Sequence, residues 1–309
     1  MVGNRRGAGA RHPDQSVSEV GKVGSLIQAQ VLAERLVDVV VLDVRWRLGG
    51  PSTYEEFLAG HVPGAAWADL DVDFADPPDA RGRHPLPDPR RLQDRLRELG
   101  VDDGSRLVVY DQADSTAAAR AWWVLRWAGL PSVRVLDGGI AGWIAAGGAL
   151  GQGPAPSRPA GTVTVRPGAM PVLDADGAAN LAREGALLDA RAAPRYRGDL
   201  EPIDPVAGHI PGARNAPTGG NVGDDGRFAS PSRLRERFAE VGVHDGVAVG
   251  AYCGSGVTAA HTVLGLELAG ITAALYPGSW SEWITDPTRP IATGDDGVDV
   301  AGRRGDEHD

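Results

Sequence analysis

The chain has a single cysteine, Cys253, among its 309 residues. One cysteine excludes an internal disulfide and fits a reducing compartment, in which a catalytic thiolate can be regenerated. No apolar run approaches the roughly 18 residues at which a membrane-spanning helix becomes a candidate. The stretch Met1 to Val20 has arginines but lacks the apolar centre of a secretory leader, so a cytoplasmic protein without a membrane partner is expected. Positive charge is in deficit, with 31 Lys+Arg against 41 Asp+Glu and a formal net charge of -10. A balance of that sign argues against nucleic acid or an anionic membrane as the main partner. The 7 histidines are scattered, and no His/Cys group has ligand spacing. No metal is therefore expected. A phosphate-binding glycine fingerprint is also missing, so no cofactor is expected.

What is present is a duplication. Val40-Val41-Leu42-Asp43-Val44-Arg45 recurs as Ala186-Leu187-Leu188-Asp189-Ala190-Arg191, and Gly60-His61-Val62-Pro63-Gly64-Ala65 as Gly208-His209-Ile210-Pro211-Gly212-Ala213. Leu107 to Asp111 answers to Val249 to Cys253, and Asp137-Gly138-Gly139 with Trp143 answers to Pro277-Gly278-Ser279 with Trp283. The order is the same in both halves, and the spacing drifts by a few residues, so insertions separate two copies of one unit. The length agrees, because a chain of this size exceeds what one hydrophobic core usually serves and suits two domains of about 130 residues. The expected boundaries are a disordered tail over 1–24, a first domain over 25–150, a Pro- and Gly-rich linker over 151–169, a second domain over 170–294 and a disordered acidic tail over 295–309.

Within each copy, short β-branched runs alternate with amphipathic stretches. This pattern predicts an α/β fold in which each domain is a parallel sheet flanked by helices. In the first copy the expected strands are Val39 to Leu42, Arg106 to Tyr110 and Val133 to Leu136. The expected helices are Gln28 to Val37, Pro89 to Leu99 and Ser115 to Ala128. Trp122, Trp123 and Trp127 share the last of these and read as core or domain interface.

Cys253 lies between an apolar run, Val247 to Tyr252, and the turn Gly254-Ser255-Gly256, which opens a helical pattern from Thr258 to Leu268. The end of a parallel strand is where ligands bind in such sheets, and the helix start offers unpaired N–H groups to an anion. Glycines at 254 and 256 let successive amides turn inward, so the loop can cradle a thiolate, the nucleophilic form of the residue. A buried, inert thiol is the competing reading, and the strand-to-helix position with two glycines weighs against it. Ser255 either orients a donor or caps the following helix.

The segment Cys253-Gly254-Ser255-Gly256-Val257-Thr258-Ala259 resembles the active-site loop of the rhodanese superfamily, in the form found in mercaptopyruvate sulfurtransferases. The likeness extends over roughly Leu26 to Ile291. It implies a sulfurtransferase in which Cys253 takes a sulfane sulfur from a small donor, holds it as a persulfide against the amides of Gly254, Gly256, Val257 and Thr258, and passes it to a thiol such as thioredoxin or a low-molecular-weight thiol. Asp111 stands where the second copy has Cys253, so the first module is expected to shape the site rather than react. The resemblance also implies that Arg195 binds the anionic end of the donor, with Arg191 and Arg197 as nearby alternatives, and a guanidinium suits a carboxylate through paired hydrogen bonds. It gives His61 a part in proton transfer, whereas His209 reads as a structural residue holding a turn.

Two departures bear on the donor. The family often has a second arginine in a Glu-Pro-Arg-Asp segment, which reads Glu201-Pro202-Ile203-Asp204 in this chain. Thiosulfate-preferring members tend to be basic just after the cysteine, whereas Gly254 and Ser255 are uncharged, which weakens attraction for a dianion. Mercaptopyruvate is thus the favoured donor and thiosulfate the alternative. A phosphatase is disfavoured because Ala259 stands where its loop needs an arginine. A non-catalytic persulfide carrier would need the same loop and stays open.

Overall fold

A computed structural model describes residues 24–295. The tails expected over 1–24 and 295–309 lie outside the described residues, apart from Gly24 and Asp295 at the two ends. Strands β1 (Leu26–Ile27), β2 (Val40–Asp43), β3 (Ala66–Trp67), β4 (Leu107–Tyr110) and β5 (Val133–Leu136) form one sheet in the order β1-β5-β4-β2-β3. Strands β6 (Ala186–Asp189), β7 (Arg214–Asn215), β8 (Val249–Tyr252) and β9 (Ala274–Leu275) form a second, in the order β7-β6-β8-β9. Every pairing is parallel.

The duplication survives as matching register. Asp43 pairs with Tyr110 and Asp189 with Tyr252 at the carboxyl ends of the central strands. In place of a fifth strand, the second sheet has an isolated parallel bridge from Val172 to Leu275. The central strands β2, β4, β6 and β8 are buried at every position, as sheets covered on both faces require. Their terminal aspartates stay inside because each is paired. Asp43 accepts from the Arg45 guanidinium and from Tyr110 Oη at 2.6 Å, and Asp189 accepts from Arg191 at 2.7 Å. Each arginine also reaches the carbonyl that precedes the histidine of its turn, Gly60 or Gly208.

The expected helices Pro89 to Leu99 and Ser115 to Ala128 are found as Pro89–Glu98 and Thr116–Trp127. The first starts on Asp88, whose carboxylate accepts from the amides of Arg90 and Arg91, with proline in the first turn. The expected helix over Gln28 to Val37 is shorter. It runs Ala29–Ala33, and the chain leaves helical geometry at Arg35 (φ -124°) and makes a 3-10 turn, Leu36–Asp38, into β2.

Two helices hold the modules together. Thr116–Trp127 of the first packs against Val257–Leu268 of the second, and both are apolar on nearly every side, the pattern of a fully enclosed helix. Trp122, Trp123, Leu264 and Leu266 belong to one continuous apolar cluster that draws on both sheets. Emptying a site such as Leu264 to alanine costs about 2–5 kcal/mol.

The segment 151–169 is strapped to the first module. Gly161 N–H donates to Arg97 O at 2.7 Å, Val163 N–H to Val101 O at 3.1 Å and Arg166 N–H to Ala128 O at 2.8 Å. A Cβ on Gly161 would lie 2.0 Å from Val101 O, so only glycine allows this approach.

Candidate active site

Strand β8 ends at Tyr252, and the next residue, Cys253, is buried at the head of the Val257–Leu268 helix. The turn closes through Gly256 at φ 78°, where a Cβ would sit 2.4 Å from Pro277 O. Glycine is therefore required there, and its N–H points at Cys253 Sγ at 3.1 Å. A second segment pins the loop from outside. Ser279 Oγ accepts from Cys253 N–H at 3.1 Å, Trp280 N–H donates to Cys253 O at 3.0 Å, and Ser281 N–H to Gly254 O at 2.9 Å. Gly254, Ser255, Gly256 and Val257 are all buried and Thr258 is half-buried, so the loop is a fixed cradle rather than a surface turn.

The first module completes the site with an arm, Gly82-Arg83-His84, whose counterpart in the second copy, Gly226-Arg227-Phe228, has phenylalanine where the arm has His84. Arg83 N–H donates to Ser281 Oγ at 3.0 Å, laying the arm along the segment that pins the cysteine loop. The next residue, His84, places Nδ1 2.7 Å from Ser255 Oγ and Nε2 3.0 Å from Asp71 Oδ1. A carboxylate only accepts, so Nε2 carries the proton and Nδ1 receives the Ser255 hydroxyl. Burial opposes ionisation of Asp71, yet the His84 hydrogen bond helps hold its carboxyl below the ordinary range. Asp71 is exposed and Ser255 buried, so the three residues form a line from solvent to the side of Cys253.

Arg120, on the Thr116–Trp127 helix, is fully buried. Its guanidinium donates to backbone carbonyls: His84 O at 2.9 Å, Phe74 O at 3.3 Å, and Pro85 and Gly256 O at 3.4 Å each. These bonds tie the arm to the cysteine loop. Burial pushes its pKa down to about 10, against the attraction of Cys253, so Arg120 is a fixed cation at neutral pH.

Of the three arginines read from the sequence, Arg195 is the one beside the loop. A Cβ on Gly254 would lie 3.6 and 3.7 Å from its two terminal nitrogens. The Nε–Nη2 edge of Arg195 is occupied by Glu201, at 3.0 and 2.7 Å, and Nη2 also reaches Asp204 at 3.1 Å. Arg191 is locked on Asp189, and Arg197 pairs with Asp199.

His61, expected in proton transfer, is held within its own turn. Its Nδ1 meets Phe57 O at 2.8 Å, its ring stacks on Phe57, and its backbone bridges to Gly151, so it braces its own turn. His209 does the same in the second module, on Tyr196. The histidine that reaches Ser255 is His84. His84, Asp71, Arg83 and Arg120 escaped the sequence reading because they lie in the module without a cysteine. The available signal was Gly82-Arg83-His84, which answers to Gly226-Arg227-Phe228 ahead of the matching helices and differs from it by carrying a histidine.

In the first module the corresponding nest is filled from within. The Asp111 carboxylate accepts from the amides of Ser115, Ala117 and Ala118 at 3.1, 2.9 and 3.1 Å. A carboxyl group of the protein's own thus occupies the position held by Cys253 in the second.

A buried thiol on a glycine turn, a Ser–His–Asp line and arginines at the loop make this a two-module enzyme site built for sulfur chemistry. The rhodanese-like domain matches residues 28–146 and again 174–286. A Pseudomonas aeruginosa protein named "Probable 3-mercaptopyruvate sulfurtransferase" is 50% identical over 286 residues, covering 87% of this chain and 98% of the relative. A Mycobacterium tuberculosis protein named "Putative thiosulfate sulfurtransferase SseB" is 46% identical over 262 residues, covering 83% and 91%. The crystal structure of SseA from Escherichia coli, described among 3-mercaptopyruvate sulfotransferases, matches with a TM-score of 0.74 at 32% identity, covering 84% of this chain and 100% of that one. The chain belongs to the rhodanese family, with the domain in two copies. Within that family it is a sulfurtransferase.

Proposed function

We propose that the chain moves a sulfane sulfur from 3-mercaptopyruvate to a thiol through a persulfide on Cys253, in the cytoplasm. The Cys253 thiolate forms an S–S bond to the donor sulfur while the donor C–S bond breaks. The electron pair of that bond goes to carbon, and the leaving group is the enolate of pyruvate, which must gain a proton. The persulfide stays in the loop until an acceptor thiolate, from thioredoxin or a small thiol, attacks the outer sulfur and restores the Cys253 thiolate.

The observation that carries the choice of donor is the 2.7 Å contact between His84 Nδ1 and Ser255 Oγ. A carbon leaving group needs an acid beside the thiol: when the His84 ring takes a second proton from solvent, Nδ1–H donates to Ser255 Oγ, so that Ser255 can give its hydroxyl proton to the enolate carbon and regain one from Nδ1. Sulfite, the leaving group from thiosulfate, departs as a stable anion and needs none. Arg195 anchors the donor carboxylate through Nη1 near Gly254, since Glu201 and Asp204 take both Nη2 protons. The 46% identity to SseB keeps thiosulfate as the second reading.

The test is turnover of purified protein with each donor at matched acceptor concentration. Release of pyruvate well beyond one equivalent, with a higher kcat/KM for mercaptopyruvate, is the expected result. Release limited to one equivalent would point to a persulfide carrier, and a higher kcat/KM for thiosulfate would reverse the order of the donors.

A further inference from the structure

We infer that the first module has a second binding site, an arginine-walled cavity at the amino ends of β4 and β5 that takes a small organic phosphate monoester. The cavity measures about 210 Å³, and the buried side chains of Ile27 and Val108 form part of its wall. Arg35, Arg106 and Arg134 line it, together with Asp38 and Ser132. It lies at the end of the first sheet opposite Asp111, away from the residues assigned to sulfur transfer.

Register brings the arginines together. Arg134 pairs with Val108, and its neighbours Val133 and Val135 belong to the apolar cluster on one face of the sheet, so Arg134 projects from the other. Val108 and Ile27 belong to the cluster on that second face. Arg106 lies two residues before Val108, so its side chain leaves the sheet on the same side as that of Arg134. The helix covering this face ends at Ala33, and the turn that follows brings Arg35 and Asp38 to the cavity.

The second module fills the same place. Gly250 pairs with Ala274 as Val108 pairs with Arg134. Ala248 O accepts from Ala186 N–H as Arg106 O accepts from Val40 N–H, so alanines stand at the matches of both arginines. The covering helix is ten residues long, Ala175–Glu184, against five in the first module, and Leu181 Cδ2 comes 2.5 Å from where a Cβ on Gly250 would be. A sheet of this register therefore closes without arginine, and the three guanidiniums are particular to the first module.

Among the described residues, none of these guanidinium side chains has a hydrogen bond or an ion pair, and neither has the Asp38 carboxylate. Guanidiniums stay charged, so gathering three of them against one carboxylate leaves a double positive charge whose self-repulsion an anion relieves. A phosphate monoester dianion matches that charge, and guanidinium forks grip its oxygens through paired hydrogen bonds. Ser132 adds a hydroxyl, and the wall of Ile27 and Val108 suits an organic group over bare phosphate. The net charge of -10 disfavours nucleic acid and anionic membrane as occupants.

Calorimetric titration of the full chain with phenyl phosphate and with inorganic phosphate tests the assignment, beside co-sedimentation with phosphatidylcholine vesicles containing phosphatidic acid. One phenyl phosphate per chain, bound about tenfold more tightly than inorganic phosphate, is expected, with no retention on the vesicles. Arg106→Ala and Arg134→Ala give the first module the residues of the second. Each should weaken phenyl phosphate by about tenfold to a hundredfold and leave sulfur-transfer turnover within about twofold of wild type. Arg106 is exposed, so its variant decides the matter if Arg134→Ala does not fold. Absence of phenyl phosphate binding at millimolar concentration, or binding that survives substitution of Arg106 and Arg134, would overturn the site. Equal affinity for inorganic phosphate would overturn the organic ligand, retention on the vesicles would point to a lipid headgroup instead, and loss of turnover in folded variants would contradict a site separate from Cys253.

Discussion

His84 Nδ1 lies 2.7 Å from Ser255 Oγ, joining the arm of the first module to the thiol loop of the second across 171 positions of sequence. The module without a cysteine thus supplies the group that backs a hydroxyl in the Cys253 loop. This gives a physical reason for two modules in one chain: Asp111 stands in the first at the place of Cys253, and the arm of that module lines the Cys253 loop of the second.

If the Ser–His–Asp line protonates a carbon leaving group, its loss should separate the donors. His84→Gln should lower kcat for mercaptopyruvate by about 10²–10⁴-fold, the usual range for a general acid or base. Turnover of thiosulfate should drop far less, since sulfite needs no proton. Asp71→Asn should have a smaller effect in the same direction, because Asp71 orients His84 from an exposed position. Steady-state rates for both donors measure this, and equal losses would contradict it.

Arg120 presents a buried cation whose partners are carbonyls of both modules. Arg120→Met leaves those carbonyls unsatisfied and removes the charge that Cys253 feels. It should cost about 1–3 kcal/mol in denaturant unfolding. It should also slow iodoacetamide alkylation of Cys253 at fixed pH. Arg120→Lys should retain more of the alkylation rate than of the stability, because it keeps the charge without the planar fork. An unchanged alkylation rate in folded Arg120→Met would show that the guanidinium only braces the loop.

Sequence alone disclosed the duplication, the α/β class and the candidate cysteine loop, because each leaves a local mark. Four-residue apolar strands ending in Asp or Tyr are visible as runs, and Cys253 on its glycine turn is visible as a motif. The two-residue strands β1, β3, β7 and β9 are too short to show any period. The rest of the site was hidden for another reason. Asp71, Arg83, His84 and Arg120 act across the domain interface, and nothing within a short window of sequence says which face of one module meets the loop of the other. His61 and His209 make the same contact in the two copies, each ring Nδ1 on a backbone carbonyl four or thirteen residues earlier, so the repeat alone does not single out either as a reacting group.

Two buried groups should shape stability against pH in opposite senses. Burial first, then the neighbouring Asp114, push the Asp111 carboxyl from 3.8 up to about 7. The folded state then binds more protons than the unfolded one, so this contribution to stability is present at low pH and lost as pH rises from about 4 to about 7. Burial pushes the His261 imidazole from 6.5 down to about 4, so its contribution is present above 6.5 and lost as pH falls towards 4. Relative to wild type, Asp111→Asn should gain stability on raising the pH through this window, and His261→Gln should lose it. Each change should be of the order of 2–4 kcal/mol. Parallel Tm curves for wild type and either variant would contradict the corresponding assignment.

The most direct measurement is the mass of the intact protein after brief exposure to 3-mercaptopyruvate without an acceptor thiol, followed by peptide mapping. One added sulfur atom on the peptide containing Cys253, released when a thiol acceptor is supplied, is the expected result, and Cys253→Ser should show neither the added sulfur nor turnover. Turnover that persists in Cys253→Ser, or wild-type protein that turns over while Cys253 never gains a sulfur, would contradict sulfur transfer through this residue.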